Sequence, residues 1–261
     1  MPQSNPHKGD DEMILHIPHA SSTIPYQFRD QFILSDEELS KEHLGLTDAF
    51  TDELFQNQAA QVVYFPYSRL LVDVERFSSD KQEPMSRVGM GMIYTRAISG
   101  SPLRRNLNKQ ERANLGEFYD KHHLMLTQKV EGELAQKGRA LIIDCHSFSS
   151  KPLTCDANQS PLRPDICLGV DDFHTPDEIV SNLNDGFSSL GFSVEINNPY
   201  VGTIVPHKWY GKDERVRSVM IEINRRLYMN ESTGKKLEYF TALRNELSQI
   251  LGRLDVIPNE H

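Results

Sequence analysis

Cysteine is scarce in this chain. Three occur among 261 residues, Cys145, Cys155 and Cys167. An odd, sparse set without CxxC spacing predicts free thiols in a reducing compartment. No apolar run approaches the roughly 20 residues that a membrane span requires. The opening MPQSNPHKGDDEM is polar and acidic and lacks the apolar centre of a secretory signal. These absences lead us to expect a cytoplasmic protein. Positive charge is also in deficit, with 28 Lys and Arg against 37 Asp and Glu, for a net charge of -9. Such a chain repels phosphate backbones and anionic membrane surfaces, so neither nucleic acid nor membrane is an expected partner. A small anionic substrate stays open, because a local arginine cluster overrules the global field. The GxSxG elbow, HExxH, the P-loop and a GxGxxG between strand and helix are all missing.

The length suits one large α/β domain, ample for a buried core without disulfides or a structural metal. Residues 1–12 read as a disordered polar lead-in, and 13–261 as a single domain. Met13 to Ile17 is short and apolar, and Pro18 ends it, which predicts a buried strand. Ser35 and Glu38 form a capping-box pair that starts a helix. A second helix is expected over 47–61, with Phe50 and Leu54 on one face. Strands are expected at 61–66, 69–74 and, briefly, 93–95. A long helix over 108–137 is closed by Gly138. Further strands are expected at 139–144, 165–170, 193–196 and 216–223. Helices are expected at 175–190, capped by Thr175 with Pro176 at its first position, and at 234–251. This alternation predicts a three-layer α/β/α fold around a mixed, mostly parallel sheet. The loops at 78–105 and 151–164 are of a size that often covers a site.

In such a sheet ligands gather at the carboxyl ends of the strands. His19 follows the first strand, His146 follows RALIID, and Glu222, Asn224 and Arg225 lie in or after the last central strand. Two imidazoles and a carboxylate suit zinc, with a fourth position open for water. The carboxylate is expected from Asp48, or failing that Asp52. Asp144 lies two residues before His146, on the same strand face, and can accept its other ring N–H. Cys145 faces the opposite way, which disfavours a thiol nucleophile. Glu222 sits inside an apolar strand, where a carboxylate must be used or paired. It is either a general base or the buried partner of Arg225 or Arg69. Arg69, Arg76 and Arg225 can fork a substrate carboxylate. Arg69 with Asp73 and Arg76 with Glu75 can equally be plain salt bridges.

The ordered stretches HIPHASSTIP, LTDAF, YSRLLVDVERF, GMIYTR, IIDCHSFS, NPYVGTIVPHKWYG and VMIEINRRLYM resemble the N-formylglutamate amidohydrolase family over roughly residues 14–230. The resemblance implies a zinc-exopeptidase-like fold and one Zn²⁺ per chain, other divalent metals fitting too. It matches His19, Asp48 and His146 to the metal ligands and Glu222 to the catalytic carboxylate. It matches Arg69, Arg76 and Arg225 to substrate-gripping arginines, with Asn224 beside them. GTIVPH looks like a substrate loop that would bring His207 to the site. Two positions depart from the family pattern. Ser21 stands where glycine is common, and Glu75 stands where asparagine is common in Asp-x-Asn-Arg, adding negative charge beside the arginines. The implied reaction is hydrolysis of an N-acyl amino acid, foremost N-formyl-L-glutamate to L-glutamate and formate, as in histidine degradation. The rivals are a metal-dependent peptidase or deacylase with another substrate, and an inactive ligand-binding relative. No sequence feature sets an oligomeric state.

Overall fold

Two nine-residue strands, buried along almost their whole length, form the middle of the sheet. The computed structural model describes residues 13–57 and 60–254, so the expected lead-in at 1–12 lies outside the described residues. In chain order the elements are β1 (Met13–Ile17), α1 (Asp36–Leu46), α2 (Thr51–Leu54), β2 (Ala60–Tyr64), α3 (Lys109–Lys137), β3 (Ala140–Phe148), β4 (Ile166–Gly169), α4 (Asp177–Ser189), β5 (Val194–Ile196) and β6 (Val216–Asn224). The small ribbon β7 (Met229–Asn230) with β8 (Lys235–Lys236) and the helix α5 (Phe240–Leu254) complete it. Six strands form one sheet in the order β2-β1-β3-β6-β4-β5. β2, β1, β3 and β6 run parallel, and β4 pairs antiparallel with β6 while β5 follows β4. The sheet is therefore mixed and mostly parallel.

Helices cover both faces. Leu15, Ile143, Val219 and Ile221 pack toward α4 and α5 in one core. Ile14, Ile142 and Val216 pack with Leu126 and Val130 of α3 in another. Side chains alternate along a strand, so His16, Asp144, His146 and Glu222 all face the α3 side, while Cys145 packs into the opposite core. Registry does the rest. His16 lies beside Asp144, and His146 beside Glu222. Among the described residues no helix is long and apolar enough to cross a membrane.

Local chemistry explains where expectation and structure agree. Ser35 and Glu38 close a capping box on α1, and Asn108 with Glu111 does the same for α3. Gly138 ends α3 at φ 74°, a left-handed position that glycine takes without a Cβ penalty.

Several expectations are corrected. The helix expected over 47–61 is only α2, because Thr47 turns extended as the cap of α1 and Phe50 adopts φ 68°. A non-glycine residue there breaks any continuous helix. The segment 69–74 is no strand. It is a coil of turns with Leu70, Leu71, Val72 and Val74 fully buried, and Arg104 donates to the carbonyls of Leu70 and Leu71 in place of a ladder. Ile93-Tyr94-Thr95 is likewise without strand pairing; Tyr94 is spent on burial and on a hydroxyl bond to Asp73. Thr175 does not cap α4, since its hydroxyl donates to the Ser218 carbonyl at 2.6 Å. α5 begins at Phe240 rather than 234, because Gly234, at φ 70°, turns the chain into β8.

Candidate metal centre

β1, β3 and β6 end at the same edge of the sheet, and their last residues meet there. His19 comes off β1 after Pro18. The Asp48 amide donates to the His19 carbonyl at 2.9 Å, which draws the α1–α2 connection against β1. The left-handed turn at Phe50 lets the chain reverse immediately after Asp48. His146 is presented from within β3, whose pairing continues to Phe148. His19, Asp48 and His146 thus converge, each with a ligand atom within 4.8 Å of the others, and all three are buried. Asp52, the alternative carboxylate, is exposed on α2.

The far side of each ring is held. His19 Nε2 donates to Asp73 Oδ1 at 2.8 Å, and His146 Nε2 donates to Asp144 Oδ1 at 3.0 Å. The near sides face Asp48 Oδ2, from His146 Nδ1 at 3.0 Å and from His19 Nδ1 at 3.6 Å. His19 Nδ1 is buried and has no hydrogen-bond partner. Two imidazoles oriented by carboxylates, one carboxylate and an unpartnered inward ring nitrogen fit a divalent metal such as zinc.

Asp48 Oδ1 accepts from Arg225 Nη2 at 2.9 Å. Arg225 also donates to the Gly45 carbonyl at 2.7 Å and to Ser147 Oγ at 3.1 Å. Its donors are occupied by the protein, so Arg225 positions Asp48 rather than offering a free fork. Arg69 is similar, with Nη2 2.8 Å from Asp73 Oδ2 and Nη1 on the Leu46 carbonyl. The salt-bridge alternative for Arg69 is what the structure contains. Arg76 differs. Its nearest carboxylate oxygen, Asp73 Oδ2, is 3.6 Å from Nε, and that nitrogen has no hydrogen-bond partner. Arg76 opens with Glu222, Glu75 and the three convergent residues on a cavity of about 240 Å³.

Burial dominates the electrostatics. It lifts Glu222 to about 8 despite the nearby His146, and Glu222 Oε2 has no partner. Burial also opposes charge on His146 and Asp48. The carboxylates of Asp144 and Asp48 nevertheless raise His146 well above its ordinary value. Contacts with His146, His19 and Arg225 hold Asp48 well below the usual carboxylate range. For metal-free protein the sign follows. Stability from His146 is complete below about 6.5 and lost as pH rises through its raised folded value. Glu222 acts in the same direction, from its ordinary value of 4.5 through about 8. Asp48 titrates far below this window. Chelator-treated protein should therefore melt at a lower temperature near pH 9 than near pH 6, and Glu222→Gln should lessen the drop. Equal melts at both pH values would contradict these charge states.

Two expected site residues are corrected. His207 is exposed in the turn after Pro206 and does not line the cavity. The preceding segment does border the site, since the Ile204 amide faces Asp144 Oδ2 at 3.3 Å, and Tyr200 and Val201 line the cavity. Asn224 is fully buried off the cavity. It accepts from the Arg226 amide and donates to the Pro164 carbonyl. Asp73, expected from the sequence only as a partner for an arginine, also orients His19, from 54 residues away. No local spacing signals that contact, unlike Asp144 and His146.

Comparisons with known proteins bear on the fold and the family. In the structure of the N-formylglutamate amidohydrolase from Ralstonia eutropha JMP134 the fold recurs with a TM-score of 0.82 at 23% identity, covering 94% of this chain and 92% of that one. The Agrobacterium tumefaciens gene product Atu2144 is similar at a TM-score of 0.64 and 20% identity, covering 95% and 92%. No curated protein matches the sequence. The family model for N-formylglutamate amidohydrolase matches residues 11–229. With most of its length matched, the chain belongs to the N-formylglutamate amidohydrolase family.

Proposed function

We propose that the chain uses a zinc ion, held by His19, Asp48 and His146, to hydrolyse the amide of an N-acyl amino acid, with N-formyl-L-glutamate as the leading substrate. The supporting observation is the buried, unpartnered His19 Nδ1 facing Asp48 and His146, on a cavity that also holds Glu222 and Arg76. Zinc supplies Lewis acidity, which brings the pKa of water toward about 7 and polarises a carbonyl. The protein's groups do the remaining work. Asp73 and Asp144 hold the two imidazoles in register, and Arg225 holds Asp48. Glu222 accepts the proton of the attacking water and passes it to the departing amine nitrogen as the C–N bond breaks. One water is consumed, and the acyl group leaves as formate. Arg76 binds the substrate carboxylate and so aligns the scissile bond. The cytoplasm is the proposed compartment.

The test is formate release from N-formyl-L-glutamate by zinc-loaded protein, beside N-formyl and N-acetyl derivatives of other amino acids. N-formyl-L-glutamate should give the highest kcat/KM. Arg76→Met should raise KM roughly 10- to 100-fold, the worth of a charged hydrogen bond of about 1.5–3 kcal/mol, and change kcat less. A metal-replete protein inert to the whole panel would sink the proposal.

A further inference from the structure

A second convergence of metal-binding groups lies beneath the first. His16 is fully buried within β1, on the α3 side of the sheet. Its Nδ1 is 2.8 Å from Asp144 Oδ1 and 3.2 Å from Glu75 Oε1. The three ligand atoms lie within 4.8 Å of one another. Two carboxylates that meet in a protein interior cannot both ionise without a cation between them. The single proton on His16 Nδ1 does not satisfy both, because it is directed at Asp144 and Glu75 Oε1 is buried with no hydrogen-bond partner. Glu75 is also the residue whose added charge the sequence singled out, and the proposed hydrolysis gives it no role.

The geometry points to a second divalent-cation site, formed by His16 Nδ1, Asp144 Oδ1 and Glu75 Oε1. The surrounding contacts suit it. His16 Nε2 lies 2.8 Å from His122 Nε2 on α3. His122 is itself buried, and as a neutral ring it can accept the proton of a metal-bound His16. That is the outer hydrogen bond a ligating imidazole needs. Binding then leaves one buried N–H unpaired, because His122 Nδ1 has no hydrogen-bond partner. The proton of His16 shifts from Nδ1 to Nε2, and that of His122 from Nε2 to Nδ1. Asp144 Oδ1 keeps its second lone pair for His146 Nε2–H at 3.0 Å, so one carboxylate oxygen joins the two sites. One imidazole with two carboxylates suits Mn²⁺ or Zn²⁺ rather than a soft ion.

Metal-free full-length protein, dialysed to equilibrium against Mn²⁺ and counted by elemental analysis, tests this. Wild type should hold two ions per chain, Glu75→Gln one, and Asp48→Asn the one at His16. Far-ultraviolet circular dichroism checks that each variant folds, and Glu75→Ala carries the same expectation should Glu75→Gln fail. A wild type that saturates at one ion or none overturns the second site, as does a folded Glu75 variant that keeps two. The outcome is independent of the hydrolysis reading. Two ions without N-acyl amino acid turnover would leave this site standing, and turnover with a single ion would remove this site alone.

Discussion

Glu222→Gln is expected to lower kcat by about 10²–10⁴-fold, the usual worth of a positioned acid–base group, while zinc content and melting temperature in the metal-loaded state change little. Glutamine keeps the size and the hydrogen-bonding plane of the side chain but cannot accept and return a proton. The position favours such a role. Glu222 lies beside His146 in the β3–β6 register, opens on the cavity, and leaves Oε2 without a protein partner. A carboxylate kept only for structure would be tied to Arg225 or Arg69, and the hydrogen bonds of those arginines go elsewhere, to Asp48 and Asp73 among others. Burial that lifts the group to about 8 also makes it a capable acid for the departing amine. Steady-state kinetics on formate release, with metal measured on the same samples, decides the matter. Activity within a few-fold of wild type would make Glu222 a passive wall of the cavity and move proton transfer to another group.

Asp48→Ala should remove both metal and activity, and should also destabilise the fold by about 3–5 kcal/mol, the usual effect of breaking a buried ion pair. The reason is Arg225. Arg225 is 4% exposed, and its guanidinium meets one carboxylate, Asp48 Oδ1 at 2.9 Å. Without Asp48 a positive charge stays buried with only carbonyls and a hydroxyl around it. The double variant Asp48→Ala/Arg225→Met should recover much of the lost stability and none of the metal. Denaturant unfolding of the three proteins, stripped of metal, separates the two consequences. A single variant as stable as wild type would mean that Arg225 finds water or another partner, and its positioning role would fall.

The arginines show how a sequence motif and a site diverge. All three line the cavity. From spacing alone they are equivalent forks for a carboxylate. In the fold Arg69 neutralises the aspartate behind His19, Arg225 neutralises the aspartate between the histidines, and Arg76 alone of the three has no side-chain hydrogen bond among the described residues. Which guanidinium is available depends on which carboxylate the fold brings to it.

By itself the sequence determined the parts whose physics is local. MILHI and ALIID are near-continuous apolar runs, as strands covered on both faces must be. Capping residues marked the ends of α1 and α3. A histidine or carboxylate at the carboxyl end of such a strand could be read as chemistry, and Asp144 two residues before His146 could be read as its support, because strand periodicity sets that contact. Tertiary structure alone decided the rest. The antiparallel entry of β4, the turns of 69–74, the reversal at Phe50 and the outward placement of His207 are set by packing against distant segments. Asp73 meets His19 across 54 residues, and Asp144 meets His16 across 128. Contacts at such separations carry no spacing rule, because they exist only after the sheet has aligned its strands and buried the charges that must then find one another.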